Sequence, residues 1–346
     1  MKPAPALLLA VVGLTTLGAS PAQQPAPRPD ATPRIVAAAN AFLATLDQGQ
    51  RARANIDLNE KTRTVWSNLP SGARLQVGAT ERNGVKFADL TPPQEKAALD
   101  LLAATLSRDG LQKAMDVVDA DQELARQRGA GGSRFGRGEY YVAVLGTPSA
   151  ASPWMLQFGG HHLAINVTIA GRQHVLAPTH TGAQPASFSL EGRMVRPLGD
   201  ENDRAFALIN ALSEEQRTQA ILGYQVRNLV LGPGADGKVI QPEGVRASGF
   251  TAAQRTMLVD LVREWVEIVG DEAAAAKMAE VQANLGETWF AWAGATTNGR
   301  GAYFRIQGPT VFIEYAPQGA GDTNVDHIHT IYRDPTNDYA VKVTGR

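Results

Sequence analysis

The sequence predicts an α+β fold in which two duplicated helix–helix–strand–strand–strand units pack as a pseudo-two-fold pair around a mainly antiparallel sheet. Three observations lead there. Thr91-Pro92-Pro93-Gln94 and Thr251-Ala252-Ala253-Gln254 repeat one helix-start pattern 160 residues apart, in which a Thr hydroxyl and a Gln side chain satisfy free amides of the first turn. Behind each start runs the same apolar stripe, Ala98, Leu101, Leu102, Thr105 and Leu106 in one copy and Leu258, Leu261, Val262, Trp265 and Val266 in the other. That spacing covers one helix face. Finally, the run 139–146 reappears at 287–294, and the same offset of 148 lays Phe158, Gly160, Leu163 and Ile165 on Ile306, Gly308, Val311 and Ile313.

In chain order, residues 1–22 have the pattern of a secretory signal peptide. Lys2 precedes an apolar run from Leu7 to Leu14, and Ser20 and Ala22 are the small residues before the cut. The run is shorter than the about 20 residues of a membrane span. Residues 23–33, rich in Pro, Ala and Gln, form a linker, and 34–346 form a single domain with repeats at about 91–181 and 251–333. In each repeat a second helix follows the capped one, at 111–126 and 271–285, before the strands begin. The first copy carries an extra glycine-rich loop at 129–138, which lowers the offset from 160 to 148. Ser213-Glu214-Glu215-Gln216 starts a helix in the connector. Runs of helices followed by runs of strands favour antiparallel pairing over alternating βαβ units.

Composition narrows the function. Hydrophobic residues make up 44% and charged residues 19% of the 346, enough for a globular core. A net charge of −1 gives no overall field to recruit nucleic acid or anionic lipid. With no cysteine, disulfides, thiolate catalysis and iron–sulfur clusters are excluded, so any metal is held by nitrogen and oxygen. The segment Gly232-Pro233-Gly234-Ala235-Asp236-Gly237-Lys238 imitates a phosphate loop, but Val239 stands where Ser or Thr is needed. It is read as a surface turn.

All six histidines lie in two stretches: His161, His162, His174 and His180 in the first, His327 and His329 in the second. Imidazole is a common metal ligand and proton shuttle. Strand alternation puts Leu163, Ile165, Val167 and Ile169 on a core face and His162, Ala164 and Asn166 on the other. In the second copy it puts Val311, Ile313 and Tyr315 in the core and Glu314 opposite. His327 and His329 share a face, with alpha carbons about 6–7 Å apart. The expected centre is a divalent transition metal (zinc, manganese, iron or copper) held by His162, Glu314, His327 and His329. His161 would transfer protons and Asn166 would orient substrate. His174 and His180 are read as loop or surface residues, and Arg333 and Asp334 as an ion pair.

Three strings carry a family resemblance. Trp66-Ser67-Asn68-Leu69-Pro70 is one. Pro153-Trp154 with Gln157-Phe158-Gly159-Gly160-His161-His162-Leu163 and Asn166 is the second. His327-Ile328-His329-Thr330-Ile331-Tyr332-Arg333-Asp334-Pro335 with Asn337-Asp338-Tyr339 is the third. In this order they resemble the DUF3500 family of mostly exported proteins, over about residues 35–339. The resemblance adds weight to these positions and implies no reaction. Tyr339-Ala340 departs from the Tyr-Gly expected there. The reading is therefore an exported protein, secreted or periplasmic, with a His/Glu site. Its leading function is a metal-dependent hydrolase acting on a small molecule or polymer. The alternative is a non-catalytic ligand- or metal-binding protein using Trp154, Trp289 and Trp292 as a cleft.

Overall fold

A computed structural model describes residue 1 and residues 30–318 and 325–345. The signal-peptide reading and residues 23–29 of the linker fall outside the described residues. Helix α1 (Thr32–Thr45) begins inside the stretch read as linker, with Pro33 in its first turn, where the missing N–H costs nothing. Helix α2 (Gln48–Ala54) follows on a reciprocal Asp47–Gln50 cap. Neither helix was anticipated.

The capped helices appear where expected. They are α3 (Pro92–Thr105), α6 (Glu214–Ala220) and α7 (Ala252–Val266). Their first-turn glutamines reach back to the backbone amides of Thr91, Ser213 and Thr251, each at 2.9 Å. The remaining helices are α4 (Arg108–Arg128), α5 (Gly199–Ala211), α8 (Asp271–Ala283) and α9 (Val341–Thr344). Among the described residues, no helix is long and apolar enough to cross a membrane.

The strands are β1 (Asn55–Ile56), β2 (Val85–Lys86), β3 (Tyr141–Leu145), β4 (Trp154–Gly160), β5 (Leu163–Ala170), β6 (Gln173–Leu176) and β7 (Thr179–Ala183). They continue with β8 (Phe188–Leu190), β9 (Arg193–Val195), β10 (Val245–Arg246), β11 (Trp289–Gly294), β12 (Ala302–Gln307), β13 (Phe312–Pro317) and β14 (Ile328–Arg333). Strands β8 and β9 form their own hairpin. The others build one sheet in the order β1-β3-β4-β5-β7-β14-β13-β12-β11-β10, with β2 also on β3 and β6 also on β5. Every pairing is antiparallel except β1 with β3. The α+β class and the mainly antiparallel sheet are thus as the sequence indicated.

The sheet has two unlike faces. Leu163, Ile165, Val167, Val311, Ile313 and Tyr315 pack with Leu101, Leu102, Leu258, Val262 and Trp265 of the helices. This is the helix-side core that alternation predicted. The opposite face carries Ala164, Phe312 and Ile331, covered by Trp66, Leu231 and Ala235 from two long loops. Strands β7 and β14 join the halves, with His329 opposite Gly182, Thr330 opposite Thr181 and Ile331 opposite His180. On the helix side the Thr181 and Thr330 hydroxyls meet at 2.7 Å.

Candidate metal centre

Strands β4 and β5 form a hairpin whose two-residue turn is His161-His162, with Gly160 paired to Leu163. His162 takes φ +65°, the left-handed region that a non-glycine residue enters at a cost of about 1–2 kcal/mol. That backbone turn releases His162 from strand alternation and swings its ring over the neighbouring β7. It comes to rest on Gly182, where a Cβ would lie 2.8 Å from the Ile328 carbonyl and 3.3 Å from the His162 ring. Gly160 is required for a similar reason, since a Cβ there would meet the Tyr140 ring at 2.9 Å.

Three imidazoles converge at the end of β14. His162 Nε2 lies 2.8 Å from His327 Nε2, and His327 Nε2 lies 3.2 Å from His329 Nε2. One ligand atom from each of the three falls within 4.8 Å of the others. The group can hold a metal ion. His162 and His329 are buried and His327 is partly open. Burial is the first cause lowering the protonation of all three, and the neighbouring imidazoles push the same way; His327 is brought down to about 4. The rings are neutral at physiological pH, and each has one nitrogen bare of a proton.

The Trp66–Pro70 string roofs the site. Asn68 O accepts from the His162 amide at 3.2 Å. The Asn68 amide nitrogen stands 3.5 Å from His329 Nδ1, and its oxygen accepts from Gln76 Nε2 at 2.8 Å. Buried Arg82, still cationic although desolvation lowers its pKa to about 10, clamps this roof to the hairpin. Its Nη2 donates to Ser67 O and Gly160 O, each at 3.0 Å, and also to Leu69 O. Trp66 Nε1 donates to the Tyr339 hydroxyl at 2.8 Å. All three strings of the resemblance therefore meet around one point.

His161 faces a different partner. Its Nδ1 lies 2.6 Å from Asp121 Oδ1 on α4, the other oxygen of Asp121 accepts from the Gly136 amide at 2.7 Å, and the His161 ring lies 3.6 Å from that of His162. Sequence reasoning missed Asp121 because a carboxylate in an amphipathic helix carries no mark of what it meets. The glycine-rich loop inserted before β3, which bends back over α4, was the available signal.

Other expectations need correction. Glu314 falls outside the imidazole group. It sits opposite Ile331, whereas Ala316 sits opposite His329, two residues and about 7 Å along the strand. Its oxygens accept from the amides of Val230 and Leu231 at 2.9 and 2.8 Å and from the Tyr303 hydroxyl at 2.6 Å. Burial pushes its pKa up, against these three hydrogen bonds. Asn166 donates to Pro178 O at 2.8 Å, and its Oδ1 has no partner. His174 and His180 are not surface residues. His174 is buried on β6 with Nε2 3.0 Å from Thr32 Oγ1. His180 is wholly buried on β7, without a partner at either ring nitrogen. Arg333 and Asp334 do pair, but with others: Arg333 with Asp236 and Asp338, Asp334 with Lys277. Trp154 and Trp292 lie in the helix-side core, away from any loop-side cleft.

A family model described as a protein of unknown function, DUF3500, matches residues 29–341. No curated protein and no solved structure matches the chain.

Proposed function

The chain belongs to the DUF3500 family, and for this member we propose an exported metal-dependent enzyme whose ion is held by His162, His327 and His329, with hydrolysis as its chemistry. One observation carries this: three neutral imidazoles, two of them buried, aim nitrogens at one another 2.8 and 3.2 Å apart. Without an ion, each close pair is held by at most one shared proton. Metal–nitrogen bonds of about 2.0–2.1 Å put two tetrahedral ligand atoms about 3.3 Å apart, near the spacing present. A carboxylate-free imidazole set suits zinc, copper or iron better than magnesium or calcium.

A bound ion in such a site supplies an acidified water at an unfilled coordination position. The chain supplies the rest. Asp121 fixes His161 through Nδ1, leaving Nε2 as the nitrogen that takes and returns a proton. The Asn68–Gln76–Ser67 chain can turn over as a unit, so that the Asn68 oxygen accepts from His329 Nδ1 when Nε2 is the ligand.

Metal analysis of untagged protein, purified without added metal, tests the reading. Stoichiometric transition metal that disappears in His329→Ala supports it. No metal beyond trace, and no thermal shift with Zn2+, Cu2+ or Mn2+, would falsify it. Metal without hydrolysis of ester, amide or phosphoester panels would leave the binding-protein alternative. N-terminal sequencing of the full chain recovered after expression tests export, with Gln23 as the expected first residue.

We also infer an internal duplication that reaches further than 91–181 and 251–333. In its support, the strand order reads β3-β4-β5-β7 inward in one half and β11-β12-β13-β14 inward in the other. Gln94 and Gln254 each donate to the last turn of the preceding long helix, at Thr45 O and Ala211 O, both at 2.8 Å. Face and register pair His180-Thr181 with His329-Thr330, an offset of 149. A Cα superposition of 30–183 on 199–333 that keeps this register supports the inference, and one that does not overturns it.

A further inference from the structure

We propose that His180 is a fourth imidazole ligand of this centre, a step that rests on the three-histidine reading above. His180 projects from β7 on the loop side, opposite Ala164 on β5 and Ile331 on β14. Neither neighbour offers a polar atom. The side chain is wholly buried and both ring nitrogens lack a partner, an arrangement that folded proteins avoid unless something else satisfies the group. Its ring stands 5.2 Å from that of His329, edge to face at 69°, so the unsatisfied imidazole borders the ligand group directly.

A second unpartnered atom on the same face is available to hold the ring once the site is filled. Asn166 Oδ1 lies on the same face of β5, one cross-strand pair beyond Ala164, and is buried with no donor. An N–H of His180 given to that oxygen would orient the imidazole and leave the other nitrogen as the lone-pair donor, the usual arrangement behind a metal-bound histidine. Glu314, the acid that could have filled the fourth position, is already committed to Val230, Leu231 and Tyr303. The result is a set of four neutral nitrogens, which selects a first-row ion that accepts a fifth ligand and leaves its full double charge for an anionic group there.

The experiment uses untagged full-length protein stripped with chelator and loaded with one equivalent of Cu2+, with pulsed electron paramagnetic resonance to count coordinated imidazoles. Optical titration with Co2+ gives affinity in parallel, on wild type and His180→Gln. The expected result is four imidazoles in wild type and three in the variant, with Co2+ bound at least about 10-fold more weakly. Three imidazoles in wild type, or a variant whose spectrum and affinity match wild type, overturns the role of His180 and leaves the three-histidine site standing. No binding of either ion overturns both. If His180→Gln does not fold, the wild-type count decides alone.

Discussion

Two of the buried polar groups on the loop-side face of the sheet are built on opposite principles. Around Glu314 every strong acceptor is matched: two backbone amides and a tyrosine hydroxyl converge on one carboxylate. Around His162, His180, His327 and His329 the balance is reversed, with rings in mutual contact and nitrogens lacking partners. Both lie on the same sheet under loop cover. A satisfied cluster stabilises the chain by itself, whereas an unsatisfied one persists where a ligand supplies the missing partner. The comparison teaches that a buried carboxylate next to a histidine strand is not thereby a ligand.

Acid should separate the two clusters most strongly. An unfolded histidine begins to bind a proton as pH falls through 6.5, while folded His180 holds out to about 3 and His327 to about 4. The metal-free protein therefore loses stability between pH 6.5 and those values. His180 alone accounts for roughly 2–3 kcal/mol by pH 4.5. Glu314, pushed upward, works in the other direction and gains from acid. Urea unfolding of the stripped protein from pH 7.5 to 4.5 checks this, and a flat profile would merge the two clusters into one class.

Next in size is Glu314→Ala. It leaves two amides and a hydroxyl unpaired and should cost about 3 kcal/mol, read as a lower urea midpoint, with metal affinity unchanged. Loss of metal in this variant would break the division drawn here. Metal should then act on the other cluster alone. At about 100 times Kd it adds about 2.7 kcal/mol to wild type and to Glu314→Ala, and nothing to His162→Asn, a variant that tolerates the left-handed turn while removing a ligand. Thermal shifts with and without chelator measure it. The smallest expected effect lies at the C-terminal turn, where Ala340 holds φ +56° in place of the glycine that the resemblance expects. Ala340→Gly should raise stability by about 1 kcal/mol, through Tyr339 and its bond to Trp66, without altering metal binding.

How much was legible in the sequence follows from what each signal encodes. Helix starts were readable because a capping pair is local: Thr251 and Gln254 satisfy each other's backbone within one turn. Core faces were readable because alternation is local too, and Leu163, Ile165, Ile313 and Tyr315 all lie where it put them. The supply of imidazoles from two distant stretches was visible, and three of them do converge. Helix α1 was missed because it has weak boundary signals beside a proline-rich run; α2 carries a local Asp47–Gln50 cap but is too short and polar to show an apolar face.

What sequence could not decide was which buried polar group meets which. Alternation puts Glu314 opposite the core and His327 and His329 on a common face, but the distance between them, and the place of His180, are set by the register of β7 on β14 and of β14 on β13, and by the loop that settles above. Two residues of register carry Glu314 out of the centre and into the Val230 and Leu231 amides, and the same pairing places His180 beside His329. The left-handed turn at His162 likewise depends on Gly182 arriving from another strand to make room. The chain by itself fixed the chemistry available and the face on which it lies. Only the long-range pairing, whose hydrogen bonds are indifferent to side-chain identity, decided which of those groups became neighbours.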